Sequence, residues 1–250
     1  MKEAITKRPA RIFNPNSPSS GVLVLDEGNA HYLANVLRIA PGEILETFDG
    51  EGTIEVWEVS HVSSKEIRAV MVGNRKVTPK APVNLILGLN PLKGGNEEPA
   101  VRMAAAMEVR EIVPVFFRRS EVPIDFDRLE RRLERWRRFC IAEVILTGGA
   151  YLPRIQKPTT LSMFLDGRTD GVLFDESADP SSAGEIHFKP GSTVVALVGP
   201  EGGVDRKEVE LAVKSGFKIG SLGPWTLRAE LAGALVPYWV YSKVKNPMDT

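Results

Sequence analysis

At 250 residues and 43% hydrophobic side chains, the chain has room for one large or two modest domains and enough apolar surface for a real core. Its 32 basic and 32 acidic side chains cancel, at a sequence pI of 6.9. That balance argues against holding nucleic acid by bulk charge, although a local basic face stays open. One cysteine, Cys140, excludes an internal disulfide, and His31, His61 and His187 are too dispersed for a zinc ligand set, so a reducing compartment and no metal are expected. No apolar run approaches the roughly 18 residues of a membrane span, and MKEAITKRPARIF lacks the apolar core of a secretory signal, so the expected location is the cytoplasm and no membrane partner is expected.

The first eighty residues carry short alternating or apolar runs at Val22–Leu25, Ile44–Phe48, Thr53–Val59 and Glu66–Val72, separated by Pro41-Gly42, Asp49-Gly50-Glu51-Gly52 and Ser63-Ser64. Such spacing predicts a small β-barrel or sandwich, with one short helix at His31–Ile39. The two prolines of Val77–Pro82 mark a linker, which places a domain boundary near residue 80: residues 1–80 form one domain and 81–250 another.

Beyond the linker, strands and helices alternate. Strands are expected at Val83–Leu89, Glu111–Phe117, Gly171–Asp175, Thr193–Val198 and Ile219–Leu222, and helices at Glu98–Met107, Arg128–Ile145, Lys207–Ser215 and Arg228–Val244. Continuous apolar runs such as Val194–Val198 suit a sheet covered on both faces, so the second domain reads as α/β with a mostly parallel sheet. Six arginines fall within Arg128–Arg138, interrupted by Glu130 and Glu134. Two readings are open: a solvated helix face with pairs such as Glu134 and Arg138, or a surface for phosphate.

Three strand ends carry the chemistry. Ala196–Val204 ends a buried strand in Gly-Pro-Glu-Gly-Gly, followed by Asp205 and Glu208 at capping-box spacing. Glycines at the carboxyl end of a strand let backbone approach a ligand, although an ordinary strand-to-helix turn looks the same. Neither a P-loop nor a complete Gly-x-Gly-x-x-Gly occurs, which disfavours a generic nucleotide-dependent enzyme. Ser221–Ala232 ends another strand in Gly-Pro and opens a helix with Arg228 and Glu230. Glu230 complements the helix dipole, whereas Arg228 gains nothing from it and its fork suits a phosphate or carboxylate. Gly171–Ser177 ends a third strand in two carboxylates.

The set Leu173-Phe-Asp-Glu-Ser177, then Leu197–Gly203, then Ser221–Glu230, in that order, resembles the RsmE family of SPOUT-class RNA methyltransferases. Arg8–Phe13, His31–Arg38 with Gly42 and Phe48-Asp49-Gly50, Leu92-Lys93-Gly94, Val109–Pro114, Arg119-Ser120 and Glu134-Arg135-Trp136 extend the likeness over nearly the whole chain. The resemblance implies a PUA-like β-barrel that helps to hold RNA, then an α/β domain with a trefoil knot. It further implies a homodimer that binds S-adenosylmethionine in the knot and methylates uracil N3 in 16S small-subunit ribosomal RNA. The implied cofactor pocket is Leu173, Gly199, Glu201, Gly202, Leu222, Gly223, Leu227 and Arg228. Arg228 is the candidate for stabilising charge on the uracil oxygens or binding an adjacent phosphate, and Glu230 for orienting Arg228 or accepting a proton. Arg11, His31, Arg38, Lys93, Arg119, Arg132 and Arg135 are the expected RNA contacts, with His31 alternatively packing the barrel.

The chain also departs from the family pattern. Met103, Ala106 and Glu108 stand where Lys, Glu and Gly are usual, and Ile145, Leu146 and Gly149 where Glu, Gln and Arg are usual. Apolar residues replacing a buried polar network explain this without functional change. The alternative is a member with a different RNA target, or an RNA-binding paralogue that transfers little or nothing.

Overall fold

A computed structural model of the chain describes residues 8–16, 18, 20–123, 125–179 and 186–245; of the MKEAITKRPARIF terminus, residues 1–7 lie outside the described residues. The chain divides into two compact units: the described residues of Met1–Thr78 with Gly148–Tyr151, and those of Pro79–Thr147 with Leu152–Thr250.

The first unit contains β1 (Ala10–Phe13), β2 (Val22–Leu25), α1 (Glu27–His31), β3 (Ile44–Phe48), β4 (Thr53–Val62) and β5 (Ile67–Lys76), in a five-stranded sheet of order β1-β3-β4-β5-β2. Only β1 and β3 pair in parallel; the other neighbours are antiparallel. Alternation along these strands turns Leu23, Leu25, Leu45, Trp57, Val59, Ile67 and Ala69 into one core with Ala30 and Leu33. The helix starts four residues earlier than its apolar pattern suggests, because Asp26 accepts from Asn29 N and caps it. A π-helical turn, Tyr32–Val36, follows. The strand β1 was not expected, since four residues that include a charged one carry no readable alternation.

Asp49 closes the β3–β4 hairpin. Its Oδ1 accepts from Glu51 N at 2.7 Å and Thr53 N at 2.9 Å, which is why a short acid precedes Gly50 there. The segment Gly148–Tyr151, far along the chain, completes this unit: Gly52 N donates to Ala150 O at 3.1 Å, and the Tyr151 hydroxyl donates to Val77 O at 2.7 Å.

The second unit contains β6 (Asn84–Leu89), a 3-10 turn at Lys93–Gly95, α2 (Glu98–Ala106), β7 (Glu111–Phe116), α3 (Phe126–Thr147), β8 (Arg154–Ile155), β9 (Thr159–Thr160), α4 (Leu161–Leu165), β10 (Gly171–Phe174), β11 (Thr193–Val198), α5 (Arg206–Lys214), β12 (Phe217–Gly220) and α6 (Ala229–Ser242). The sheet runs β12-β10-β11-β6-β7-β8, with β9 also on β7, and every described pairing is parallel. β8, β9 and α4 are too short to show a period in sequence. Along β10 and β11 the side chains alternate. Leu173, Val195 and Leu197 join a core with Phe164, Ala212 and Phe217, whereas Phe174 meets Trp239 of α6 edge-on at 5.0 Å.

The strand order also dictates a crossing. β12 is an edge strand beyond β10, yet α6, which follows it, packs against α2, β6 and β11. The 221–228 segment therefore travels back over the carboxyl ends of β10 and β11, the return that a trefoil knot requires.

Candidate cofactor cavity and RNA-facing residues

The carboxyl ends of the neighbouring strands β12, β10 and β11 open into one cavity of about 390 Å³. Its walls are the ends of the three strand-terminal loops: Asp175 and Glu176 after β10, Gly199–Glu201 with Gly203 and Val204 after β11, and Ser221–Gly223 with Trp225–Glu230 after β12. This is where ligands bind in open parallel sheets, because strand ends leave backbone groups without ladder partners.

Backbone shape depends on bare positions. A Cβ on Gly199 would lie 2.5 Å from Val204 Cγ2, so that loop folds tightly only with glycine. Gly223 sits at φ +124°, held by Ser221, whose Oγ accepts from Gly223 N at 3.1 Å and donates to Gly223 O at 2.9 Å.

The loop after β11 is held from outside the cavity as well. Glu201 Oε1 accepts from Lys93 N at 3.2 Å, and Arg119 Nη1 donates to Gly202 O at 3.1 Å while Nη2 lies 3.7 Å from Asp205 Oδ2. Beyond it Asp205 caps α5, accepting from Lys207 N at 3.0 Å, and Glu208 Oε2 accepts from Asp205 N at 3.3 Å in the expected capping box.

Charge in the cavity is mostly negative: Asp175, Glu176, Glu201 and Glu230 face one cation, Arg228. Arg228 occupies the N-cap of α6 with its side chain 78% exposed, and its Nε lies 3.3 Å from Glu230 Oε1, whose side chain is largely buried. The carboxylate is thus an anchored partner and the guanidinium the reaching one.

Of the residues assigned to the cofactor, Gly199, Glu201, Leu222, Gly223, Leu227 and Arg228 line the cavity; Leu173 and Gly202 do not. Leu173 is fully buried on the opposite face of the sheet, because residues alternate along a strand, and its neighbour Phe174 takes the lining position. A Cβ on Gly202 would point at Arg119, 3.4 Å from its Cβ. Three polar lining positions outside the loops after β11 and β12 were not assigned from the sequence. Asn96 comes from the turn before α2 and carries no local signal. Asp175 and Glu176 were visible as a strand-end pair but were not assigned to the site.

The expected RNA contacts separate into two groups. Arg11 is buried: its Nε pairs with Glu46 at 3.1 Å, its Nη2 donates to Gly149 O at 2.8 Å, and it stacks over Phe48. Burial lowers its pKa, with Glu46 opposing and Arg75 reinforcing that shift. Arg11 is therefore an internal strut rather than a phosphate contact. Arg132 is also engaged internally, with Nη1 donating to Leu92 O at 2.8 Å and to Glu97 at 3.2 Å. Lys93, Arg119 and Arg135 keep exposed side chains, although Arg119 also clamps the β11 loop and Arg135 pairs with Glu98 at 3.5 Å. His31 and Arg38 are exposed, so His31 does not pack the barrel; its Nδ1 accepts from the Asn35 amide at 2.9 Å. Glu134 pairs with Arg137 at 3.1 Å rather than with Arg138.

Of the departures from the family pattern, Met103, Ala106, Glu108, Ile145, Leu146 and Gly149 are absent from the cavity lining, whereas Ala229, in a Leu227–Leu231 stretch that departs from the family's Leu-Arg-Thr-Glu-Thr, lines it. Met103 and Leu146 are exposed, so they do not form a buried apolar replacement. In their vicinity α2 and α3 are joined by ions instead. Arg102 pairs with Glu98 at 2.8 Å and Glu143 at 3.5 Å and lies over Phe139. Glu108 adopts φ +55°, a conformation costly for a side chain, and its Oε2 accepts from Lys80 N at 2.5 Å and Ala81 N at 3.4 Å. Here a carboxylate does locally what glycine does by lacking a side chain.

Residues 79–239 match the RNA methyltransferase domain family, which is more than half of the chain, and residues 25–72 match the RNA methyltransferase PUA domain. The chain belongs to the RNA methyltransferase domain family, as a divergent RsmE-type member. It is 27% identical over 227 residues to ribosomal RNA small subunit methyltransferase E of Aquifex aeolicus, covering 88% of this chain and 94% of that protein. The Mesomycoplasma hyopneumoniae protein of the same name is 29% identical over 178 residues, covering 70% and 74%. The crystal structure of ribosomal RNA small subunit methyltransferase E from Neisseria gonorrhoeae bound to S-adenosyl methionine superposes with a TM-score of 0.80 at 25% identity, covering 92% of this chain and 95% of that one. A Legionella pneumophila structure in complex with the bound cofactor SAM gives 0.83 at 24% identity, covering 96% and 100%. The fold is that of the SPOUT methyltransferases, preceded by a PUA-type unit.

Proposed function

We propose that this RsmE-type chain is an S-adenosylmethionine-dependent methyltransferase that acts on uracil N3 of a uridine in 16S small-subunit ribosomal RNA. The observation that carries this is the cavity at the three strand ends, in a chain of the RNA methyltransferase domain family. Its volume lies within the roughly 300–1,000 Å³ usual for small-molecule sites. Its carboxylates suit a cationic sulfonium, and its bare glycine backbone suits a ligand read by main-chain groups. The residues present therefore fit the cofactor, with Gly199, Glu201, Leu222, Gly223 and Leu227 to hold it.

When bound, S-adenosylmethionine supplies an electrophilic methyl group. The chain's own residues do the rest. Arg228, exposed at the cavity mouth, stabilises the negative charge that gathers on the uracil oxygens as N3 gives up its proton, and Glu230 fixes the guanidinium in place and is the carboxylate available to accept that proton. The unpaired base and the methyl donor are held together by the loops, and such positioning contributes most of the rate in a displacement of this kind. Apart from Ala229, the departures from the family pattern do not line the cavity, which supports a working enzyme over an inert paralogue.

A homodimer completes the reading. On α6, Leu231, Leu235 and Tyr238 stay exposed at helical spacing, an apolar stripe suited to a second copy. A ribosomal RNA substrate supports a cytoplasmic location. Among the described residues, no helix is long and apolar enough to cross a membrane and no acidic, histidine or cysteine group is assembled for a metal.

The test is mass spectrometry of nucleosides from small-subunit ribosomal RNA of cells with and without the gene. N3-methyluridine should disappear and return on complementation. Unchanged N3-methyluridine would refute the assignment.

A further inference from the structure

We propose that the hollow between α3 and the Lys93–Gly95 turn binds a phosphate of the RNA backbone and so seats the substrate beside the cofactor cavity; this rests on the RNA-methylating reading above. Arg128, Arg131, Arg132 and Arg135 recur at i, i+3, i+4 and i+7, which puts all four on one face of α3. With Gly94, Gly95 and Phe139 they surround about 270 Å³ of space. Like charges stacked on one helix face repel, and an anion in the hollow relieves that repulsion.

Internal carboxylates compensate it incompletely. Glu97 is buried and fully engaged: it accepts from Leu92 N, Trp136 Nε1 and Arg132 Nη1, so this carboxylate and Arg132 neutralise each other inside the wall. Arg135 meets Glu98 at 3.5 Å, and Arg128 meets Asp125 at 3.2 Å with 74% of its side chain exposed. Exposed pairs of this kind contribute little and exchange readily with a stronger anion. Arg131 has no hydrogen bond or ion pair among the described residues. Three guanidinium groups therefore offer donors toward one hollow, and their planar forks match phosphate oxygens.

The turn opposite is shaped to admit the ligand. Gly95 lies at φ +81°, and a Cβ there would stand 3.4 Å from Arg135 Nη1, in the approach to the guanidinium. The same turn faces the cofactor site on its other side: Asn96 lines the cavity, and Lys93 N holds Glu201 Oε1. An RNA phosphate in the hollow is thus separated from the cavity by a single turn of chain. The open, largely exposed arginines suit a phosphodiester passing over them better than an enclosed free anion.

The experiment uses the full chain and an in vitro transcript of small-subunit ribosomal RNA, with affinity measured across a salt series. Arg131→Gln is expected to weaken binding about three- to tenfold and to reduce the slope of log affinity against log salt by roughly 0.7–0.9, the value for one phosphate contact. Arg131→Lys should keep the slope and recover only part of the affinity. S-adenosylmethionine affinity and thermal midpoint should match wild type in both variants, which separates the effect from misfolding.

Equal RNA affinity and slope in Arg131→Gln would overturn the site. Arg131-dependent binding of inorganic phosphate or pyrophosphate, with RNA binding unaffected, would overturn the RNA assignment in favour of a soluble phosphate ligand. Wild-type protein that binds the transcript through Arg131 yet leaves it unmethylated supports the hollow and overturns the catalytic reading. Methylation by Arg131→Gln at an unchanged KM for RNA does the reverse.

Discussion

Glu208 and Arg118 join two distant strand ends: Arg118 N donates to Glu208 Oε1 at 2.8 Å, while the other carboxylate oxygen accepts from Asp205 N. One buried side chain thus caps α5 and ties the loop after β7 to the loop after β11. Removing it orphans two backbone donors. Glu208→Ala should destabilise the second unit by about 2–4 kcal/mol, against about 1 kcal/mol for Asp205→Ala, which loses an N-cap and a long, exposed pair with Arg119 that contributes little. Denaturant unfolding of both variants checks the order.

Arg119 reaches the same loop from the outside, on Gly202 O and Asp205. It touches no cavity-lining side chain in this arrangement, so it acts by positioning. Arg119→Ala is expected to raise the S-adenosylmethionine Kd about three- to tenfold in the absence of RNA, with Arg119→Lys intermediate because a single ammonium cannot reproduce the fork. Calorimetric titration without RNA isolates this effect from any RNA contact.

Gly199 gives a steric prediction. A Cβ 2.5 Å from Val204 Cγ2 forces the loop outward from the strand end. Gly199→Ala should lower cofactor affinity at least tenfold, and the double variant with Val204→Ala should recover part of it. Equal titrations for the single variant and wild type would refute the argument.

Arg11 should matter for stability and not for RNA. Its partner Glu46 is buried and also receives Arg75 Nη2 at 2.8 Å. Arg11→Ala leaves Glu46 with Arg75 as its remaining cation, so the loss is that of charged hydrogen bonds, about 1.5–3 kcal/mol. Thermal unfolding should show the loss. The salt slope of RNA binding should not change.

Asp49 sets a pH dependence in the first unit. Burial acts to raise its pKa but is outweighed by hydrogen bonds from Thr53, side chain and backbone, and from Glu51 N, with Lys76 adding to the lowering. A carboxylate whose folded pKa lies below its unfolded value contributes stability above the unfolded pKa, near 3.8, and loses that contribution as pH falls through the folded value. Wild type should therefore lose stability below about pH 4 relative to Asp49→Asn, and the difference between the two should be constant from pH 5 to 8. Unfolding midpoints across that range measure it.

Local chemistry explains what could be read in advance. Continuous apolar runs set β6, β7, β10 and β11, Asp205 and Glu208 set the start of α5, and the glycine turns after β11 and β12 marked two walls of the cavity. The third wall, Asp175 and Glu176, was legible as two acids at a strand end within the Leu173–Ser177 motif, but not as cavity lining. Leu173 was misassigned because the motif names a segment, whereas the alternation of a strand decides which of two neighbours faces the ligand.

The arginine helix marks the division most clearly. The sequence alone determined that six arginines lie within eleven residues of one helix, and that the chain's zero net charge conceals a basic stretch. Only the tertiary structure decided their roles. Packing α2 and its preceding turn against α3 delivers Glu97 to Arg132 and Glu98 to Arg135, and leaves the Arg131 side chain without a partner among the described residues. Helical spacing is a property of adjacent residues, but the carboxylate that neutralises Arg132 comes from 35 residues away, and Coulombic pairing depends on distance in space.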